Sequence, residues 1–107
     1  MSGGGGGSGG PAIDTRIRCD QLRFETELQS VKPAAARTVR PGDILSLKVK
    51  GPQGPIVATN RQGQEVGSIV MHIAELLRCI EAGFSYSAQV SAVQIPLIRV
   101  RIGPTSP

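Results

Sequence analysis

The stretch Ile44-Leu45-Ser46-Leu47-Lys48-Val49-Lys50-Gly51-Pro52-Gln53-Gly54-Pro55-Ile56-Val57-Ala58-Thr59-Asn60-Arg61-Gln62-Gly63-Gln64-Glu65-Val66-Gly67-Ser68-Ile69 decides the fold. Its first run alternates, with Leu45, Leu47 and Val49 on one side and Ser46, Lys48 and Lys50 on the other. Period-two alternation marks a half-buried strand. Gly51-Pro52-Gln53-Gly54 reverses the chain, Pro55 to Thr59 makes a short strand, Asn60-Arg61-Gln62-Gly63 turns again, and Gln64 to Ile69 supplies the next strand. Turns this close between β-branched runs predict a meander.

Outward from that core, the pattern changes period once. Ile73, Leu76, Leu77 and Ile80 recur at helical spacing, and Gly83 stands where a left-handed stop residue belongs. Ser68 is a candidate cap, while His72, Glu75 and Arg78 lie off the apolar stripe. Phe84 to Val93 alternates again through Phe84, Tyr86, Ala88, Val90 and Ala92. After a turn at Gln94-Ile95-Pro96, Leu97 to Ile102 places Ile98, Val100 and Ile102 opposite Arg99 and Arg101. Upstream, Pro41-Gly42-Asp43 is a turn, and Lys32-Pro33-Ala34-Ala35-Ala36-Arg37 reads as a helical turn or a loop. Ile13 to Val31 reads as extended, with Ile17 and Cys19 on one face and Leu22, Phe24, Thr26 and Leu28 on the other. That change of parity predicts a β-bulge. The expected fold is mainly β: a small OB-like or SH3-like half-open barrel of five or six strands with one short α-helix.

The chain of 107 residues holds one domain. Residues 1–11, with seven glycines and two serines, form a flexible tail, residues 12–103 the domain, and residues 104–107 a loose end. Twelve Lys and Arg against eight acidic residues give a formal charge of +4, all outside the tail. This balance suits a nucleic-acid or acidic-protein partner, and equally a solvated surface. There is no Trp, and Tyr86, Phe24 and Phe84 are the aromatics. Their scarcity makes the core aliphatic and limits base stacking.

Cys19 and Cys79 lack the close pairing of a zinc site and read as buried free thiols in a reducing compartment, with a structural disulfide as the alternative. No apolar run approaches a membrane span and no secretory leader is visible, so the expected setting is intracellular, and nuclear in a eukaryote. His72 is the single histidine and has no nucleophile at a telling spacing; neither a metal set nor a phosphate-binding loop is present. The chain reads as a binding module without cofactor or reactive centre.

Binding chemistry falls to the cations. Lys48 and Lys50 project from one strand, Arg99 and Arg101 from another, and Arg16, Arg18 and Arg23 from the first. Converging in one groove, they would track phosphates; separated, they protect strand edges. Phe24 and Tyr86 are the candidate stacking residues, although core burial is the ordinary fate of such aromatics.

The run Pro55 to Ile69, with its Gly63-Gln64-Glu65-Val66-Gly67 step, followed by Ala74 to Gly83, resembles the second half of a HIRAN domain. Arg40-Pro41-Gly42-Asp43 is similar to that family's entry to its alternating strand, and Leu22-Arg23-Phe24 to its first strand. The resemblance spans about residues 16–102. It implies an OB-like barrel of the kind found in DNA-repair helicases and translocases, which holds the 3′ end of single-stranded DNA. It further implies that Arg23 contacts phosphate, that Phe24 stacks on a base, and that Ser68, Met71 and His72 line the pocket at the helix start. The expected nucleic-acid-binding residues are Arg23, Phe24, Lys48, Lys50, Arg61, Ser68 and His72. Two departures stand out. Gly51-Pro52-Gln53-Gly54 replaces the family's Asn-Pro-Tyr-Asp turn, and Ile69, Val70 and Met71 stand where DNA-binding members carry basic residues. Hence the alternative expectation: a protein-interaction module of the same fold that docks a partner through Val70 and Met71.

Overall fold

The computed structural model describes residues 18–52 and 54–105. The expectations placed on the glycine-rich tail, on Arg16, Ile17 and Gln53, and on residues 106–107 lie outside the described residues. Each alternating run becomes a strand: β1 (Phe24–Glu27), β2 (Ile44–Val49), β3 (Ile56–Thr59), β4 (Glu65–Ile69), β5 (Tyr86–Gln94) and β6 (Leu97–Pro104). Two helices interrupt them, the four-residue α1 (Pro33–Ala36) and the nine-residue α2 (Ile73–Glu81).

All neighbours pair antiparallel in one six-stranded sheet, in the order β1-β6-β5-β2-β3-β4. The segment leaving β1 curls this sheet into a half-barrel. Leu28 N–H donates to Ile98 O of β6 at 2.9 Å, and the next residue, Gln29, exchanges two 2.8 Å backbone bonds with Ser68 of β4. Lys32 N–H then donates to Val66 O at 2.8 Å. The two ends of the sheet are thus laced through residues 28–32. Gly67 permits that approach: a Cβ there would lie 2.9 Å from Leu28 Cβ and 3.0 Å from Gln29 O.

Inside lie Leu45, Ile56, Val66, Ile69, Ile98, Val100 and Ile102, each at most 1% exposed. Helix α2 adds Leu76 and Cys79 to the same cluster. Burying aliphatic side chains of this size stabilises by about 1.5–3 kcal/mol each, so the barrel rests on a mainly aliphatic core to which Tyr86 makes the one buried aromatic contribution among the described residues. At the C-terminus of α2, Gly83 takes φ +103° and donates to Ile80 O, while Phe84 N–H donates to Cys79 O, satisfying otherwise unpaired carbonyls.

The structure corrects five expectations. The parity change between Cys19 and Leu22 comes from a 3-10 turn at Cys19–Gln21, not from a β-bulge. The register shifts fall instead at Ala58/Thr59 and Val90/Ala92. The latter breaks the expected Phe84-to-Ala92 face, leaving Ala92 exposed and Val93 half-buried. Cys19 and Cys79 are not free thiols but a disulfide, with Cα atoms 5.5 Å apart. The 3-10 turn makes this possible by docking on the barrel, where Tyr86 OH donates to Cys19 O at 2.5 Å. Ser68 does not cap α2: it lies within β4 and its hydroxyl donates to Gln29 O at 3.2 Å. Finally, Pro104 is no loose end, since it closes β6 and Thr105 N–H donates to Ser85 O at 2.9 Å.

No helix among the described residues is long and apolar enough to cross a membrane.

Candidate functional site

The outer face of the sheet is where the strand registers assemble polar and cationic side chains. One row runs Glu25, Arg101, Gln89, Ile44 across β1, β6, β5 and β2. The next runs Gly103, Ser87, Ser46, Thr59 from β6 to β3. Its members are small, so the outer surface dips there. Arg23, one residue before β1, lies over Gly103: a Cβ on that glycine would meet the Arg23 side chain at 3.5 Å.

The dip is a groove of about 410 Å³ with Arg23, Arg101, Ile44, Ser87, Gln89 and Gly103 in its lining. Two others adjoin it. Arg23 and Pro104 also border a groove of about 460 Å³ that contains Asp20, Phe84 and Ser85. Ile44 also borders one of about 500 Å³ that contains Arg40, Asp43, Asn60 and Arg61. Phe84 and Ile44, 40% and 57% exposed, are the large apolar side chains along this path.

Cations differ in how they are partnered. Arg101 Nε contacts Glu25 Oε2 at 3.0 Å, Arg99 reaches Glu27 at 3.5 Å and Glu25 at 3.9 Å, and Lys50 Nζ contacts Glu65 at 3.1 Å. Exposed pairs of this kind contribute little to stability, roughly 0–1 kcal/mol, but they neutralise the strand face locally. Among the described residues, no ion pair includes Arg23, Lys48, Arg40 or Arg61.

The expected site residues therefore separate into groups. Arg23 stands between two grooves, and Phe24 borders the outer one. Phe24 is half-buried and meets His72 edge to face, ring centroids 4.9 Å apart at 69°. His72 sits at the start of α2 with φ +56°, its Nδ1 4.0 Å from Glu75 Oε1. Beside it Val70 and Met71 are 55% and 48% exposed. Ser68 serves the barrel closure. Lys48, farther along β2, and Lys50, just past its end, line none of the three grooves, and Arg61 lines the third. Tyr86 is buried, its phenol pushed above the usual tyrosine value by burial and by the nearby charge of Asp20. It holds the turn before Arg23 instead of facing a ligand.

Sequence reasoning missed Phe84, Gln89, Ile44 and Arg40. Phe84 counted as strand core because of its parity, but β5 begins two residues later. No group of three or more His, Cys, Asp and Glu among the described residues could hold a metal ion.

No family model matches the chain, and no curated protein matches it. A crystal structure of a Lactobacillus plantarum protein, a structural-genomics target, superposes with TM-score 0.64 at 14% identity, over 77% of this chain and 94% of that one. This likeness concerns the fold alone.

Proposed function

We propose that this domain binds single-stranded nucleic acid across the outer face of its half-barrel, as an accessory domain of the HIRAN kind in a DNA-repair translocase. One observation carries the reading: Arg23, which makes no ion pair among the described residues, overhangs a groove whose floor is kept low by Gly103 and Ser87. A guanidinium so placed offers a fork of donors to a phosphate. The exposed Phe84 ring, beyond Arg23 in the adjoining groove, offers a face for a base. The Leu22-Arg23-Phe24 resemblance supports the same residue as the phosphate contact. Without the family's tyrosine turn, recognition rests on backbone charge and not on the 3′ terminus.

Anisotropy titration of a labelled oligothymidylate tests this. Arg23→Glu should weaken binding about tenfold or more, because a lost charge-assisted contact is worth roughly 1.5–3 kcal/mol. Arg99→Glu, in a position already paired with Glu25 and Glu27, should change affinity much less. Equal effects would reject the assignment. A 3′-phosphorylated oligonucleotide should bind as well as one ending in a hydroxyl.

The exposure of Val70 and Met71 favours a second reading, in which a protein partner docks beside His72.

A further inference from the structure

We infer that the bound strand continues past Ile44 to a second cationic station at Arg40 and Arg61, so that the ligand is a run of several nucleotides, not a terminus or a mononucleotide. This rests on the proposed function and names the substrate form it requires. Ile44 joins the two stations, since it borders both the Arg23 groove and the Arg40–Arg61 groove. The two grooves therefore meet at that side chain.

The second station is built, not incidental. Asn60 Oδ1 accepts from Gln62 N–H at 3.0 Å and from Gln64 N–H at 2.9 Å, which fixes the turn that carries Arg61. Asn60 Nδ2 also donates to Thr38 Oγ1 at 3.2 Å, tying that turn to the segment that leads into Arg40. Arg40 N–H in turn donates to Asp43 Oδ2 at 2.9 Å, which closes the Arg40–Asp43 turn around Gly42 at φ +97°. Among the described residues Asp43 is the one carboxylate lining this groove, and the two arginines outnumber it.

Distance sets the ligand length. From β1 to β3 the path crosses β6, β5 and β2, four interstrand steps. At about 4.8 Å per step this is roughly 19 Å. With a stacked rise of about 3.4 Å per nucleotide, five or six nucleotides fit, and fewer if the strand is stretched. Single-strand sites on folds of this size span roughly 4–16 nucleotides.

Oligothymidylates of about three and about ten nucleotides are titrated into the full chain, as wild type and as the Arg40→Glu/Arg61→Glu double variant. The double variant should bind the long oligomer at least tenfold more weakly than wild type and the short one within twofold of it. Arg40→Gln/Arg61→Gln should show the same length dependence with a smaller loss, and thermal melting confirms that both variants fold. If the long oligomer binds variant and wild type alike, or if both lengths lose equally, the inference is overturned while the Arg23 site stands. A wild-type chain that binds neither length overturns the proposed function itself.

Discussion

Single residues decide whether this barrel closes. Gly67→Ala would press a methyl group against Leu28 Cβ at 2.9 Å and the backbone of Gln29 at 3.0 Å, on the lacing that joins β4 to the chain leaving β1. Neither neighbour is a flexible chain end, so the substitution should destabilise by about 1–3 kcal/mol, read from the denaturation midpoint. A Gly63→Ala control meets no neighbour within 4 Å and tests backbone conformation alone. Tyr86 makes a separate prediction. Its phenol keeps its proton in the fold to a higher pH than the unfolded chain's ordinary value near 10.0. The unfolded state therefore ionises first, and the stability from this group is full below that pH and declines as pH rises through the folded value. Tyr86→Phe should flatten that alkaline decline and cost about 1 kcal/mol at neutral pH for the lost bond to Cys19 O. Tyr86 is the one tyrosine and there is no Trp, so phenolate absorbance reports this titration without interference. None of this is legible in the sequence, where Gly67 is one of fourteen glycines and Tyr86 an alternation position.

At the scale of elements, the strands and α2 were legible because their period is local. Leu45, Leu47 and Val49 announce β2 without reference to anything else, and Gly83 marks the end of α2 by its own backbone freedom. What fails is whatever depends on a distant partner. Arg99 and Arg101 read as available cations, but register against β1 sets Glu27 and Glu25 opposite them. Lys50 is likewise taken by Glu65, fifteen residues away. Cys19 and Cys79 are 60 residues apart in sequence and become partners once a 3-10 turn replaces the expected strand. A bridge closing a loop of that size constrains the unfolded chain by about 4 kcal/mol in the chain-entropy model. Reduction and alkylation should lower the unfolding free energy by up to that amount, and the loss should be smaller if the reduced denatured state retains structure. Such bridges persist in oxidising settings, so the Cys19–Cys79 disulfide lends no support to the intracellular placement expected from sequence.

For the whole molecule, the half-barrel was legible as a class, and the surface proposed to bind was not. The order β1-β6-β5-β2-β3-β4 places the first, last and central strands side by side, which brings Arg23, Gln89 and Ile44 to one face although they are far apart along the chain. The same order leaves Lys48 and Lys50 off that path and gathers Phe24 with His72 at the start of α2. Two surfaces therefore compete for the role of binding site: the outer-face grooves, and the exposed Val70–Met71 patch beside His72. Backbone amide mapping by NMR separates them most directly. A titration of the isotope-labelled chain with an oligothymidylate of about eight nucleotides should move the amides of Arg23, Ser87, Gln89, Arg101 and Gly103, and reverse those shifts as salt is raised. Shifts confined to Val70, Met71 and His72, or no shifts at low salt, would contradict binding across the outer face.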